Sequence, residues 1–455
     1  MIIHTFSFII ILPSAKKEAV IKITGKIIIL LTLFINIPFL LYAEDNLQIK
    51  DNSPVRIAEI NTSIEKRTKR SALLRQLKLK ENSEYDSIDE LNRILYINFQ
   101  KLERRRIFKE LEWSVDQLTE DTVAVNIKVV DSFSLWPRPI IKYNSNIGVT
   151  LGARVDYFNA FGTLTDMKFQ GYWSPKEYYF NLDIANLIFG PFTVNPVFEQ
   201  FDGTTRYGSP NGDILVNFRN SYTLIKSEFE VQLSPLNEWV YQITPVFKWQ
   251  YNYRIETNNS DLPDSWFEDY GFAVGFDNGI STDRVNWKGN FREGFFLELI
   301  NQNLWYTKVG KSDIFFETSA IGFKPLSEWL EISGRTGGFY AVDGVYLDAG
   351  KWLRGVRDYN TYGEWGIYTN LQINFLLFTI MNQLEFQLRP FTDLAYIKSN
   401  QWDNGMDSFE YCAGTSVLIY IKSLPNLSLN LDVGWDIKRG QLEVIFDTVH
   451  FLTGK

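Results

Sequence analysis

The chain has 455 residues and a net charge of −8, with 46 Lys and Arg against 54 Asp and Glu, 45% apolar and 16% aromatic residues, one cysteine and two histidines. The apolar share excludes a disordered chain, and a negative balance with no basic block among the aromatics excludes a nucleic-acid partner. Cys412 alone makes neither an intrachain disulfide nor a cysteine-rich metal site, and His4 and His450 supply too few imidazoles for the usual hydrolase triads. No catalytic residue, metal site or cofactor is therefore expected.

In chain order, Lys16, Lys17, Lys22 and Lys26 precede the apolar run Ile27 to Ala43, and acidic residues follow. That order is a secretory signal over residues 1–43; a membrane anchor is the alternative, but Asn36 and Pro38 interrupt a run only marginally long enough to span. Residues 44–54 read as a linker. Beyond it no apolar run reaches 18 residues, which excludes a helical membrane protein.

Residues 55–131 predict a small mixed domain. Val55 to Asn61 alternate as a strand, and Thr62 with Glu65 reads as a capping box opening a helix with Ile64, Leu73, Leu74 and Leu77 on its apolar stripe. Ser87 and Glu90 form a second capping box before Ile88, Leu91, Ile94, Leu95 and Phe99 at helical spacing. Two strands follow, over Phe108 to Leu118 and Thr122 to Asp131, so the order is β-α-α-β-β. The run Arg104 to Arg106 reads as a solvated helix end set against the helix dipole.

After Trp136 the period becomes two. Tyr241, Ile243, Pro245, Phe247, Trp249, Tyr251, Tyr253 and Ile255 share one face, against Gln242, Thr244, Lys248, Gln250, Asn252 and Arg254. Leu427, Leu429, Leu431, Val433, Trp435 and Ile437 repeat the pattern against Ser428, Asn430, Asp432 and Asp436. Strands this long, oily on one side and rich in Trp and Tyr, point to a transmembrane barrel and not a soluble sandwich. At roughly 20 residues per strand and connection, residues 132–455 give about 16 strands. Lys248, Arg254 and Asp436 are expected in the lumen.

The stretch Lys351 to Gly366 places Arg354 among aromatics and glycines. A lipid-facing arginine at the bilayer midplane costs about 2–4 kcal/mol, so Arg354 belongs on a loop or in the lumen beside a carboxylate. An ordinary exposed loop arginine is the alternative.

The order and positions of residues 55–131 resemble a POTRA domain, the periplasmic module of the BamA-type outer-membrane assembly and secretion transporter superfamily, also called the bacterial surface antigen family. Leu353, Arg354, Gly355 and Val356 resemble that family's Val-Arg-Gly-Phe/Tyr loop motif, and Phe391, Asp393 and Ala395 its Phe-x-Asp-x-Gly strand, with Val356 and Ala395 departing from the pattern. Asp283, Arg284 and Gly294 resemble its Asp-x-Arg…Gly strand signature, and Phe451 the aromatic end of its last strand. The resemblance implies a mainly β fold: a transmembrane antiparallel β-barrel of about 16 strands preceded by one small β-α-α-β-β POTRA-like domain. It also implies that Asp393 pairs with Arg354 inside the lumen and pins the loop.

The function implied is an outer-membrane transporter that assists insertion of β-barrel proteins into the outer membrane, or translocation of a polypeptide across it, without catalysing a reaction. Its partners would be outer-membrane lipid, unfolded or extended client polypeptides at a POTRA-like domain in the periplasm, and periplasmic accessory proteins. An unsealed seam between first and last strands would offer main-chain hydrogen bonds to an incoming strand. A passive outer-membrane channel or a lipid-handling barrel is the alternative, and no Gly-x-Ser-x-Gly passenger precedes the small domain to suggest a lipase.

Overall fold

The computed structural model describes residues 53–447 except 145–147, 209–213, 236–237, 259–270, 343–346, 349–351, 357–361, 382, 399–406 and 422–427. The signal peptide over 1–43, His450 and Phe451 lie outside the described residues.

The small domain consists of β1 (Val55–Glu65), α1 (Arg70–Gln76), β2 (Glu84–Tyr85), α2 (Ile88–Arg104), β3 (Phe108–Gln117) and β4 (Thr122–Asp131). The sheet order is β2-β1-β4-β3, with β1 parallel to β4 and the other pairs antiparallel. Alternation on β4 turns Val123, Val125, Ile127 and Val129 toward Leu91, Leu95, Phe99 and Leu102 of α2, and these residues form the core. Ser87 opens α2: its Oγ accepts a hydrogen bond from the Glu90 amide at 3.1 Å, while the Glu90 carboxylate accepts one from the Asp86 amide at 2.7 Å. The first expected capping box does not form. Thr62 and Ile64 suit a strand, and pairing with β4 carries β1 through Glu65, opposite Val130. The chain then turns because the Asp131 carboxylate accepts from the amides of Arg67 and Thr68, at 2.7 and 2.8 Å, and α1 begins at Arg70 without a side-chain cap.

Sixteen staves close the barrel. They are β5 (Leu135–Asn144), β6 (Gly148–Ala160), β7 (Thr165–Trp173), β8 (Tyr178–Ala185), β10 (Phe192–Gly208), β11 (Ile214–Gln232), β12 (Trp239–Asn258), β13 (Phe272–Asp283), β15 (Phe291–Tyr306), β16 (Lys311–Ser327), β17 (Leu330–Val342), β20 (Trp365–Ile380), β21 (Leu384–Lys398), β22 (Asp407–Ile421), β23 (Ser428–Asp436) and β24 (Gln441–Asp447). β9 (Leu187–Phe189) continues the line of β8 beyond Asn186, β14 (Asn286–Lys288) sits in the connection from β13 to β15, and β18 (Leu347–Asp348) pairs with β19 (Tyr362–Gly363) outside the ring. β24 lies beside β5, so the expected unsealed seam is joined.

Hydrocarbon offers no hydrogen bonds, so polar side chains turn inward and apolar ones outward. On β23, Ser428, Asn430, Asp432 and Asp436 are buried while Leu431 and Trp435 are exposed. On β12, Gln242, Thr244 and Gln250 are buried while Ile243, Phe247 and Trp249 are exposed. The oily face expected to run unbroken to Ile255 ends at a bulge. Asn252 takes φ 50°, the ladder shifts, and Arg254 comes into register with Arg219 on the outer side, its side chain 63% exposed, not in the lumen. Lys248 does face inward, with Nζ 4.8 Å from the Tyr222 ring centre. β10, β11 and β12 have 17, 19 and 20 residues, well beyond the roughly 9–11 a strand needs to span a bilayer. Asp202 to Gly208, although polar and rich in glycine, form the upper end of β10.

Ser87→Ala is expected to weaken the first turn of α2 by about 1 kcal/mol, and Ser87→Asp to keep it. Faster amide hydrogen exchange at Glu90 and Leu91 in the alanine variant alone is the readout.

Candidate functional site

Beyond β17, Trp352 to Val356 lie inside the lumen, with Trp352, Leu353 and Val356 buried against Phe339, Tyr368 and Ala395 of the wall. Arg354 is 2% exposed and Asp393 fully buried. The guanidinium grips the carboxylate with both prongs, Nε to Oδ2 at 3.0 Å and Nη2 to Oδ1 at 2.6 Å, and the Arg354 amide donates to Oδ2 at 2.9 Å. Nη1 donates to Gln372 Oε1 at 2.7 Å, and the guanidinium carbon lies 3.8 Å from the centre of the Phe391 ring. Charge, hydrogen bonds and the ring face are all satisfied together, as a buried arginine requires.

Packing fixes the loop on either side. The Trp352 indole is stacked against Phe339 at 4.6 Å and against Tyr368 at 5.1 Å, and its Nε1 donates to Glu317 at 3.0 Å. Its carbonyl accepts from Asn370 at 2.7 Å. Leu353 and Val356 join Ala395, Ile397 and Cys412 in one buried cluster. Gly355 and Gly434 touch: a side chain on Gly434 would sit 2.5 Å from the Gly355 Cα. The Gly355 amide donates to the Cys412 sulfur at 3.3 Å. The close approach thus uses Gly434 on β23, with Ala395 serving as packing.

Asp283, Arg284 and Gly294 gather at the opposite end, in the connection that carries β14. Gly294 takes φ 117°, and a Cβ there would lie 1.9 Å from the Arg284 carbonyl oxygen. This turn holds the small domain and does not meet Arg354. Arg104 donates to the Asp283 carbonyl, to Asn286 Oδ1 at 2.8 Å, and pairs with Glu238 at 2.7 Å; Arg284 approaches the same Glu238 at 3.5 Å.

Arg104 to Arg106 are therefore a dock and not the expected solvated helix end, because all three reach barrel connections, Arg104 and Arg106 the one between β13 and β15 and Arg105 the one between β6 and β7. Arg105 reaches the Leu164 carbonyl at 2.8 Å and Asp166 at 2.9 Å. Arg106 donates to Asn290 at 3.1 Å and lies 4.3 Å from the Trp287 ring centre. The turn between β6 and β7 completes the joint: Leu164 is fully buried in the small domain's own core, and Gly162 accepts from the Lys69 amide at 2.9 Å. Three adjacent arginines ending a helix were the only sequence signal for this dock.

A continuous set of contacts joins dock and loop. Gln372 bonds Asn374 at 3.0 Å, Asn374 bonds Glu331, Glu331 accepts from the Arg292 amide at 2.5 Å, and the Arg292 guanidinium faces the Trp287 ring that Arg106 covers. Among the described residues no group of three or more His, Cys, Asp or Glu is placed to hold a metal ion.

The chain is thus a closed barrel of sixteen antiparallel staves with Trp352 to Val356 held in its lumen by the Arg354–Asp393 pair, joined to one small POTRA-like domain. Among solved structures the chain is similar to CdiB from Escherichia coli, with a TM-score of 0.62 and 11% identity over 87% of this chain and 74% of that one. It is similar to CdiB from Acinetobacter baumannii, at 0.60 and 12% over 84% and 70%. It is similar also to BamA from Haemophilus ducreyi lacking POTRA domains 1–3, at 0.51 and 12% over 87% and 85%. At such identities the likeness is one of fold. No family model matches the sequence, and no curated protein does.

Removing one partner of a buried pair strands the other charge, so Arg354→Glu should cost about 3–5 kcal/mol, and adding Asp393→Arg should recover at least about 1 kcal/mol of it. The temperature at which the folded barrel loses its compact gel mobility reads both. Equal losses in single and double variants would refute the coupling.

Burial against the barrel lowers the Lys101 amino group to about 8, the nearby Glu238 carboxylate only partly opposing it. Docking therefore favours neutral Lys101: its charge opposes docking fully below about pH 8, and the opposition fades as pH rises toward the ordinary lysine value of about 10.4. Lys101→Met should slow hydrogen exchange in the Asn159 to Leu164 turn at pH 7 and flatten its dependence between pH 8 and 10.

Proposed function

We propose that the protein is an outer-membrane transporter that assists insertion of β-barrel proteins into the outer membrane or translocation of a polypeptide across it, with the POTRA-like domain in the periplasm. The observation that carries this reading is the loop Trp352 to Val356 held inside a closed barrel by the buried Arg354–Asp393 pair. A passive pore keeps an open polar channel, whereas a plug locked by a charged pair suits passage that must be triggered. The motif resemblance to the BamA-type superfamily and the fold likeness to BamA and CdiB support the same reading.

In this reading no reaction is catalysed and no cofactor takes part. Unfolded or extended clients meet the small domain along β3, the free edge of its sheet, by adding a strand. Outer-membrane lipid covers the oily wall, and periplasmic accessory proteins approach from the small-domain side. The seam between β24 and β5 is the place where the ring opens to offer main-chain hydrogen bonds to a client strand.

Depleting the protein is expected to lower a defined set of other barrels, or one secreted polypeptide, in quantitative outer-membrane proteomics. Purified protein should conduct poorly in planar bilayers until Arg354→Glu frees the loop. An unchanged proteome together with large, stable conductance in the unmodified protein would favour the passive channel instead.

A further inference from the structure

Where β10, β11 and β12 outrun the length a bilayer needs, the outer wall of the barrel changes character. Trp173, in register with exposed Leu151, is followed across the ladders by Tyr178, Asp202 and Ser221, so all share the outward face. Lower on that wall, Ile225, Phe247 and Trp249 are exposed. Above the oily band lies a cleft of about 290 Å³, bordered by Trp173, Tyr178, Asp202, Asn217, Arg219 and Glu256. It faces the barrel's surroundings at the level where a membrane's headgroups begin.

The polar groups of the cleft are fixed in advance. Arg219 holds Asp202 with two hydrogen bonds, Nε to Oδ1 at 2.9 Å and Nη2 to Oδ2 at 2.6 Å, and Ser221 donates to the same carboxylate at 2.5 Å. Gln200 donates to the hydroxyls of Tyr178 and Tyr251, at 3.1 and 3.2 Å. Beside them stands the Trp173 indole, 62% exposed. Lys176 and Arg219 face three carboxylates, Glu177, Asp202 and Glu256, so the lining has no excess positive charge to select a phosphate. A ring of hydroxyls with an apolar C–H face matches what is present: planar polar groups to exchange paired hydrogen bonds, and an aromatic plate to cover the face. The volume is at the small end of ligand pockets, with room for a mono- or disaccharide.

We propose that this cleft binds a neutral sugar, presented as a glycolipid headgroup in the membrane or as a free oligosaccharide. The site rests on the barrel lying in a membrane and not on the transport reading. Trp173 supplies the stacking plate, and Asp202, Arg219 and Asn217 the hydrogen bonds.

The test uses the full chain in a sugar-free detergent, then in nanodiscs containing phosphatidylglycerol with or without a diglucosyl diacylglycerol. Native mass spectrometry counts retained lipid, and saturation-transfer NMR reads maltose. Trp173→Ala, at an exposed position that leaves the fold intact, should weaken sugar binding about tenfold. Asn217→Ala is the second variant. Retention of the glycolipid without maltose binding assigns the headgroup, and maltose binding of similar strength assigns the free oligosaccharide. Either result supports the proposal if Trp173→Ala weakens it about tenfold. Equal retention of phosphatidylglycerol, no sugar signal in either arm, or binding that neither variant weakens would overturn it.

Discussion

A closed sheet in hydrocarbon must satisfy every polar group on its inside, and the whole molecule follows from that constraint. Alternation on each stave sends Ser, Asn, Gln and acids inward, leaving a lumen lined with groups that need partners. The loop carrying Arg354 answers part of that need. Its guanidinium takes Asp393 and Gln372, its tryptophan takes Glu317, and the carbonyl of Trp352 takes Asn370. The loop is thus a component of the lumen wall's hydrogen bonding, and removing it leaves the buried Asp393 carboxylate without its counter-ion.

The same accounting explains the other end. Three arginines end α2, the site where a helix concentrates negative potential, and they find partners at the barrel connections between β13 and β15 and between β6 and β7. Leu164 reaches across to complete the small domain's core, so the domain and the barrel share apolar packing as well as ion pairs. Between dock and loop runs the line of Trp287, Arg292, Glu331, Asn374 and Gln372. Dock and lock are thus joined by an unbroken line of contacts.

Function then rests on contrast within one wall. The lumen side near Arg354 is tightly paired, the ring is joined between β24 and β5, and the upper outer wall at β10 to β12 carries fixed polar groups beside an exposed indole. A locked interior suits triggered passage, while an ordered polar outer surface above an oily band suits a ligand from the headgroup layer.

The alternation of Leu431, Trp435 and their neighbours determined the barrel and its inside from the sequence alone, because a strand's side chains have a period of two wherever it sits. Ser87 and Glu90 likewise marked the start of α2, since a capping box needs only residues three positions apart. Arg354 could be placed off the lipid by cost, but its partner came from motif resemblance and not from spacing. Thr62 and Glu65 misled because a parallel neighbour from far along the chain extended β1 past a local helix signal. Arg254 misled because a bulge at Asn252 reversed the two faces. The dock of Arg104 to Arg106, the Gly355–Gly434 contact and the cleft beside Trp173 each join residues whose distance depends on register and closure. Only the tertiary structure decides those, because one residue of slip moves a whole strand to the other face.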